Sequence, residues 1–232
     1  MPPELRPQVA DAAAVARAFS AAVVCVDGYE ADDVIATLAA KHRGEGVDVL
    51  TGDKDLLQLA AYDGVRILDP QGDPVDAAKK FGVPPGRIGD YLALVGDASD
   101  NVAGVRGCGP KSAVAFSAQI KFRDALFPYW IDVPRIDVPQ VALIEAFGDL
   151  DAILAGAPDS DAVPKRARAA IAACDGEALR RDRCLVTLRE DVPLPPLAFD
   201  PFAWDNVLAM ADRFEFTTFR RRAEALMREE EE

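Results

Sequence analysis

The stretch that decides the fold is Val-Asp-Val-Leu-Thr-Gly-Asp-Lys-Asp-Leu-Leu-Gln-Leu, at residues 47–59. Its apolar beginning predicts a short strand at 47–50, and a short helix is expected from Leu56 to Ala61. Asp53 and Asp55 stand between the two. In an open parallel sheet the ligand crevice lies beyond the carboxyl ends of the strands, which is where this order places both carboxylates.

The neighbouring segments repeat this order of strand and helix. An Ala-rich helix is expected at 9–19, and the apolar run from Val23 to Val26 predicts a buried strand after it. A helix with one apolar face is expected at 30–43, and a further strand at 65–68. Alternating strands and helices indicate an α/β fold with a parallel sheet flanked by helices.

Beyond residue 70 the pattern becomes helical. Helices are expected near 74–81, 85–95, 140–147, 149–155, 163–173, 176–188, 202–211 and 217–228, with another from about Lys111. Prolines and aromatic residues within 119–139 predict an irregular insertion at that point. We therefore expect a largely helical second half of the chain, interrupted once.

The composition excludes several classes of protein. No window approaches the run of about 18 apolar residues that a membrane helix needs, and the N-terminus lacks the pattern of a secretory signal. Four cysteines without C-x-x-C spacing and a single histidine make a zinc site unexpected. The net charge of −13 argues against a general nucleic-acid binder, although part of it is the terminal run Glu229 to Glu232. We expect a cytoplasmic monomer that does not contact a membrane.

Acidic residues recur in three groups that are candidates for metal binding. They are Glu30, Asp32 and Asp33 after the first predicted strand, Asp53 and Asp55 after the second, and Asp97 and Asp100 after the helix at 85–95. Hard cations such as Mg²⁺ relieve the repulsion among carboxylates, and two such ions can clamp a phosphate and activate a water. For any one group, capping of a helix N-terminus is the preferred interpretation. The agreement of three groups favours a metal site.

A glycine-rich stretch, Gly-Val-Arg-Gly-Cys-Gly-Pro-Lys-Ser-Ala at 104–113, follows the last acidic group. Its glycines stand where a tight turn requires positive φ, and the backbone N–H groups of such a turn form an anion site with the next helix. Lys111 adds a charge and Ser112 a hydroxyl group. Contacts of this kind hold phosphate without selecting a base sequence. The alternative is a simple connection between two helices.

Several motifs together carry a resemblance to a known family. They are Gly-Tyr-Glu-Ala-Asp-Asp-Val-Ile at 28–35, Thr-Gly-Asp-Lys-Asp-Leu-Leu-Gln-Leu at 51–59, Gly-Val-Pro-Pro at 82–85 and Tyr-Leu-Ala-Leu-Val-Gly-Asp-Ala-Ser-Asp-Asn at 91–101. In order and spacing they are similar to the motifs of the bacterial 5′→3′ exonuclease and flap endonuclease family, which is found at the N-terminus of DNA polymerase I.

The resemblance implies a PIN-like nuclease core joined to a helix–hairpin–helix module that binds duplex DNA. Four residues resemble, by position, the family's ligands of a first Mg²⁺: Glu30, Asp32, Asp33 and Asp53. Three others resemble its ligands of a second Mg²⁺: Asp55, Asp97 and Asp100. The residues that resemble the family's clamp on duplex phosphate are Gly107, Gly109, Lys111 and Ser112. The family clamp commonly holds a monovalent cation, so K⁺ is expected there, and Mn²⁺ is expected to substitute for Mg²⁺.

The resemblance also implies an activity and partners. The expected reaction is hydrolysis of DNA phosphodiester bonds at 5′ ends or flaps by a two-metal mechanism, in replication or repair and beside a DNA polymerase. We divide the chain into a nuclease core at 1–70, a helical region with the DNA-binding module at 71–200, and C-terminal helices with an acidic tail at 201–232.

Two departures from the family pattern leave alternatives open. The chain begins at Met-Pro-Pro-Glu-Leu, where the basic arch of the family ends, so the family's first strand and its Asp are expected to be missing. The insertion at 119–139 interrupts the helix after the hairpin. On these grounds we expect the chain alone to cleave a 5′-flap substrate poorly or not at all. The alternatives are an inactive DNA-binding relative, and a PIN-type ribonuclease, which would not explain the hairpin.

Overall fold

The computed structural model describes residues 6–106, 139–161, 163 and 165–230, which divide into two compact units. Unit 1 comprises Met1–Val34 and Val192–Glu232, and unit 2 comprises Ile35–Asp191. The division of the chain at residues 70 and 200 stays a prediction. The helix expected from Lys111 and nearly all of the predicted insertion lie outside the described residues.

The sheet belongs to unit 2 and confirms two predicted strands at their predicted bounds. Strands β1 (Val47–Leu50) and β2 (Val65–Leu68) pair in parallel, in register from their first residues to their last. Val49, Val65 and Ile67 are buried on this pair of strands, as expected for side chains that cover a core. The predicted α/β class with parallel pairing is therefore confirmed for the described residues.

The strand predicted at 23–26 is wrong. Within the described part of unit 1, these residues join helix α1 (Arg6–Ala18) to helix α2 (Ala31–Lys41) without pairing as a strand. Their exposure alternates along the chain, because Val23 and Cys25 are exposed whereas Val24 and Val26 are half-buried. The alternation in exposure that is typical of a strand is therefore present. A strand, however, also requires a neighbouring strand to which its backbone is hydrogen-bonded, and a local sequence pattern does not specify one.

Besides most of α2, further helices form the rest of unit 2. They are α3 (Ala77–Phe81), α4 (Ile88–Val95), α5 (Pro139–Phe147), α6 (Leu150–Gly156), α7 (Lys165–Ala172) and α8 (Gly176–Val186), with 3₁₀ helices at Asp55–Ala61, Pro85–Arg87 and Ala157–Asp159. Helix α4 lies in the core, with Leu92 and Leu94 buried. A Cβ atom added at Gly89 of α4 would lie 3.1 Å from Thr187 Oγ1. The close contact of α4 with the segment after α8 thus leaves little room for a larger residue.

Helix α3 is shorter than the predicted helix at 74–81, for a local reason. Asp76 accepts a hydrogen bond from Lys79 N at 2.9 Å, so it caps the helix and fixes its start at Ala77. Just before the cap, Val75 N donates to Ile67 O of β2 at 2.9 Å. The residues before Asp76 are therefore bound to the sheet and cannot join the helix.

Unit 1 contains α1, the start of α2, and two further helices, α9 (Trp204–Arg213) and α10 (Thr217–Glu230). An ion pair of 2.7 Å between Arg213 and Asp11 joins α9 to α1. The rings of Phe19 and Phe219 meet edge to face at 5.6 Å between centroids. Across the described parts of both units, every helix is too short or too polar to cross a bilayer.

Candidate metal centre

Three of the seven predicted metal ligands converge in unit 2. Asp55, Asp97 and Asp100 each offer a carboxylate oxygen, and these oxygens all lie within 4.8 Å of one another. Asp97 is buried, Asp55 is half-buried and Asp100 is exposed. The group therefore extends from the protein interior to solvent, so that a ligand could reach it from outside.

Asp55 is positioned by the turn that follows β1. Asp53 N donates to Thr51 Oγ1 at 2.9 Å, and Asp55 N donates to Asp53 Oδ1 at 3.0 Å, which fixes the backbone at the start of the 3₁₀ helix. The next residues, Leu56 and Leu57, are each 2% exposed and anchor that helix in the core. Asp53 itself is exposed and lies outside the group of three, so its ligand role stays a prediction.

Asp97 and Asp100 lie on a closed loop after α4. Asp97 N donates to Val102 O, and Val102 N donates to Asp97 O, both at 2.8 Å. Val105 N then donates to Leu94 O of α4, also at 2.8 Å. Through these hydrogen bonds the chain comes back to α4 after the loop. The loop between Asp97 and Val102 is therefore held at both ends and can keep its carboxylates in place.

Two glycines make this closure possible. A Cβ atom at Gly104, where φ is +67°, would lie 2.5 Å from Gly96 N. One at Gly96, where φ is +88°, would lie 2.8 Å from Ala103 O. Both φ values fall in the region that L side chains rarely adopt. Gly104 has the positive φ that the hairpin motif predicts, and in this structure it also closes the acidic loop.

The Asp97 carboxylate is held by two neighbours. Its Oδ1 accepts from Ser99 N at 3.0 Å and from the Ser99 hydroxyl, and its Oδ2 lies 2.5 Å from Lys54 Nζ. Burial alone would raise the pKa of Asp97, but the bonds from Lys54 and Ser99 outweigh it and the pKa is lowered. Asp97 is therefore ionised at neutral pH, as a metal ligand must be.

The pKa of Asp55 is shifted in the opposite direction. Burial, reinforced by the charges of Asp53, Asp100 and Asp97, raises the pKa of its carboxyl to about 6, although Lys54 acts in the other direction. Within the described residues, Asp55 Oδ1 is buried and accepts no hydrogen bond, and Lys54 Nζ lies 4.0 Å from it. A bound cation would supply the missing partner, so this set of oxygen donors fits a hard divalent metal ion.

The N-terminal third of the chain resembles a known protein family. Residues 1–82 match the sequence model of the family described as "5'-3' exonuclease, N-terminal resolvase-like domain". The chain is 36% identical to DNA polymerase I of Rhizobium leguminosarum over 232 residues, covering 95% of this chain and 20% of that protein. Within residues 1–82, the chain resembles the N-terminal domain of the 5′→3′ exonuclease family. It is also 53% identical over 93 residues to a 5'-3' exonuclease of Aquifex aeolicus, covering 38% of this chain and 32% of that protein.

The chain thus spans between a fifth and a third of the length of these exonuclease-family relatives. Among solved structures, the T5 D15 protein co-crystallized with metal ions superposes with a TM-score of 0.48 at 19% identity, over 87% of this chain and 61% of that protein.

The remaining predicted ligands lie elsewhere in the chain. Asp32 and Asp33 are in the first turn of α2, in unit 1, where acidic side chains also complement the helix dipole. Glu30 immediately precedes that helix. Their convergence with the Asp55 group stays a prediction. The predicted phosphate clamp at Gly107, Gly109, Lys111 and Ser112 lies outside the described residues.

Lys54 is a site residue that was not predicted from the sequence. It stands between two predicted ligands, and hydrogen bonding to Asp97 together with the charges of the cluster raises its pKa. The sequence did contain a signal for its role, namely a basic residue between the two acids of an Asp-x-Asp motif. Its partner, however, lies on a loop distant in sequence, so only the folded chain identifies the pair.

Asp90 is a buried carboxylate outside the exonuclease-family motifs. Its side chain is 1% exposed on α4, with Arg183 Nε 2.7 Å from Oδ1 and Arg87 Nη1 3.4 Å from Oδ2. Burial raises the pKa of Asp90, and the two arginines oppose that effect. Arg183 also lies 3.8 Å from Asp151 of α6. This network links α4, α6 and α8 through ion pairs with cationic side chains, which indicates a structural role.

Proposed function

We propose that this chain is the metal-binding core of a 5′→3′ exonuclease and flap endonuclease that hydrolyses DNA phosphodiester bonds. The observation that carries the proposal is the convergence of Asp55, Asp97 and Asp100 from two separate loops, in a chain whose residues 1–82 resemble the 5′→3′ exonuclease family. Carboxylates on this scale of separation suit Mg²⁺ or Mn²⁺, which take oxygen ligands.

We assign the ligands of one divalent ion to Asp55, Asp97 and Asp100, and those of a second to Glu30, Asp32, Asp33 and Asp53. When bound, such ions polarise a scissile phosphate and lower the pKa of a water so that it can attack. The second set rests on the sequence alone, and the first rests on the geometry as well.

The residues of the chain contribute rigid positions to this chemistry. Asp97 is fixed by the bridge to Val102 and by Ser99, so its Oδ2 keeps one place. Asp55 is fixed by the buried leucines that follow it. Asp100 is exposed, on the side from which a phosphate would approach. Fixed ligands matter because an in-line displacement requires both reacting oxygens to be held in line.

DNA binding is assigned to the predicted helix–hairpin–helix module. Gly107 and Gly109 would present backbone N–H groups to duplex phosphates, with Lys111 and Ser112 beside them and K⁺ at the turn. DNA at 5′ ends or flaps is the proposed substrate, and a DNA polymerase the proposed partner, since the Rhizobium relative is a DNA polymerase I.

The rival function, a DNA-binding relative without activity, is less well supported. A buried acceptor without a hydrogen bond costs about 1–3 kcal/mol. Asp55 Oδ1 is such an acceptor among the described residues. A protein that did not bind a cation would gain stability by replacing Asp55, so the presence of this carboxylate favours a metal-dependent role.

The proposal is tested by cleavage of a 5′-labelled flap duplex. We expect weak but Mg²⁺-dependent release of labelled product, lost in Asp97→Asn and abolished by a chelator. Asp48→Asn is the matched control, because Asp48 is an exposed acid that pairs only with Arg66 across the sheet among the described residues. Absence of Mg²⁺-dependent release, or equal loss in both variants, would contradict the proposal.

A further inference from the structure

Lys54 lies beside two of the three carboxylates in the group, those of Asp97 and Asp55. Its ammonium nitrogen lies 2.5 Å from Asp97 Oδ2, 3.2 Å from Ser99 Oγ and 4.0 Å from Asp55 Oδ1. Within the described part of unit 2, it is the basic side chain that forms ion pairs with these carboxylates. A positive charge is therefore already present between the acids when no metal ion is bound.

We infer that the Lys54 ammonium is an exchangeable placeholder for a divalent cation, bound to Asp97 in the metal-free state and displaced when the cation enters. The identity of the site as a metal site rests on the proposed function. The inference adds that the chain contains its own competitor for that site, and that metal binding releases a lysine.

The oxygen that Lys54 holds is the one that a cation needs. Asp97 Oδ1 already accepts from the backbone and the hydroxyl of Ser99. Oδ2 has only the ion pair with Lys54 among the described residues, and it is buried. An ammonium group and a metal ion cannot both contact this oxygen from the same side, so the two compete directly.

Displacement of the ammonium needs no rearrangement of the core. The Lys54 side chain is 38% exposed, whereas that of Asp97 is 6% exposed. The flexible four-carbon stem of lysine can move its charge into solvent while the backbone stays at the start of the 3₁₀ helix, where Leu57 N donates to Lys54 O. The carboxylates would therefore keep their positions while the cation changes.

A placeholder and a structural prop predict opposite effects on metal binding. If Lys54 competes with the metal ion, Lys54→Met removes the competitor and strengthens binding. If Lys54 is needed to hold the loop together, the same substitution lets the carboxylates separate and weakens binding. Lys80→Met is the matched control, because it removes the same charge from an exposed position on α3.

Calorimetric titration with Mn²⁺ distinguishes the two. We expect the dissociation constant of Lys54→Met to fall about tenfold, equivalent to about 1.4 kcal/mol, with Lys80→Met close to wild type. Unchanged or weaker binding by Lys54→Met would overturn the inference. If wild type binds Mn²⁺ and Asp97→Asn does not, that result leaves the proposed metal site standing. If wild type binds no Mn²⁺, the proposed function fails and the inference fails with it.

A measurement on the wild-type chain avoids dependence on the folding of a variant. Lys54 should react faster with an amine-specific acylating reagent when Mg²⁺ is added, because the ammonium is released from Asp97 into solvent. Peptide mass spectrometry gives the rate, and the exposed Lys80 provides the reference within the same molecule. A rate at Lys54 that does not rise relative to Lys80 at saturating Mg²⁺ would overturn the inference.

Discussion

Asp55→Asn is expected to stabilise the metal-free chain while removing a metal ligand. The pKa of the Asp55 carboxyl rises from 3.8 to about 6 in the folded chain, chiefly through burial. The folded state therefore binds the proton more tightly than the unfolded state. The contribution of this group to stability is present below pH 3.8 and is lost as the pH rises through about 6.

The size of the effect follows from the shift in pKa. A change of one pKa unit corresponds to about 1.4 kcal/mol, so ionising Asp55 at neutral pH costs the folded chain up to about 3 kcal/mol. Asparagine at this position stays neutral at every pH. The free energy of unfolding of the variant should exceed that of wild type by up to about 3 kcal/mol at pH 7.5, and by little at pH 4.

Urea denaturation with a chelator present, at pH 4 and pH 7.5, measures this difference. Taking the difference between variant and wild type cancels the contribution of titrating groups that do not interact with Asp55, such as Asp151, whose pKa is lowered by its hydrogen bond with Arg180. Asp48→Asn serves as the control, since it removes an exposed acid from the same unit. A variant that is no more stable than wild type at pH 7.5, or equally stabilised at both pH values, would refute the reasoning.

Other substitutions test the loop, the ionic network and the hairpin. Gly104→Ala should weaken Mn²⁺ binding at least tenfold by calorimetry, since its Cβ would meet Gly96 N at 2.5 Å and open the acidic loop; unchanged affinity would contradict this. Arg183→Met should destabilise the fold by about 1–3 kcal/mol in urea, because buried Asp90 loses its 2.7 Å partner, and no loss would exclude that role. Lys111→Ala should weaken binding to unrelated duplexes alike and lower the salt slope by about one unit, whereas a loss limited to one base sequence would count against a phosphate contact.

Local sequence was sufficient for strands β1 and β2 and for most helix positions. Alternation in 65–68 and the apolar residues of 47–50 are properties of a few adjacent residues. The failure at 23–26 has a physical cause, because pairing depends on what lies beside a strand. The late start of α3 depends likewise on Val75, which is bound to β2.

The candidate site shows the same limit. The residue types and positions of Asp55, Asp97 and Asp100 were predictable, because their motifs place acids where helices and strands end. Their mutual distances depend on the return of the chain at Val105 to α4, which no spacing rule supplies. Lys54 was missed because its role depends on Asp97, on a different loop.

The anchoring of the ligand loops on buried leucines has a consequence for ion preference. Asp55 is followed by Leu56, and Asp97 lies shortly after Leu94. Both leucines are buried in the core. Mg²⁺ tolerates little variation around its ligand distances of about 2.0–2.1 Å, whereas Ca²⁺ accepts longer and less regular ones. Closely packed interiors transmit the loss of a methylene as a displacement of neighbouring atoms. The preference for one of these ions would thus depend on the packing of leucine side chains that do not contact the ion. Replacing Leu56 or Leu94 with valine would change that preference while leaving every carboxylate in place.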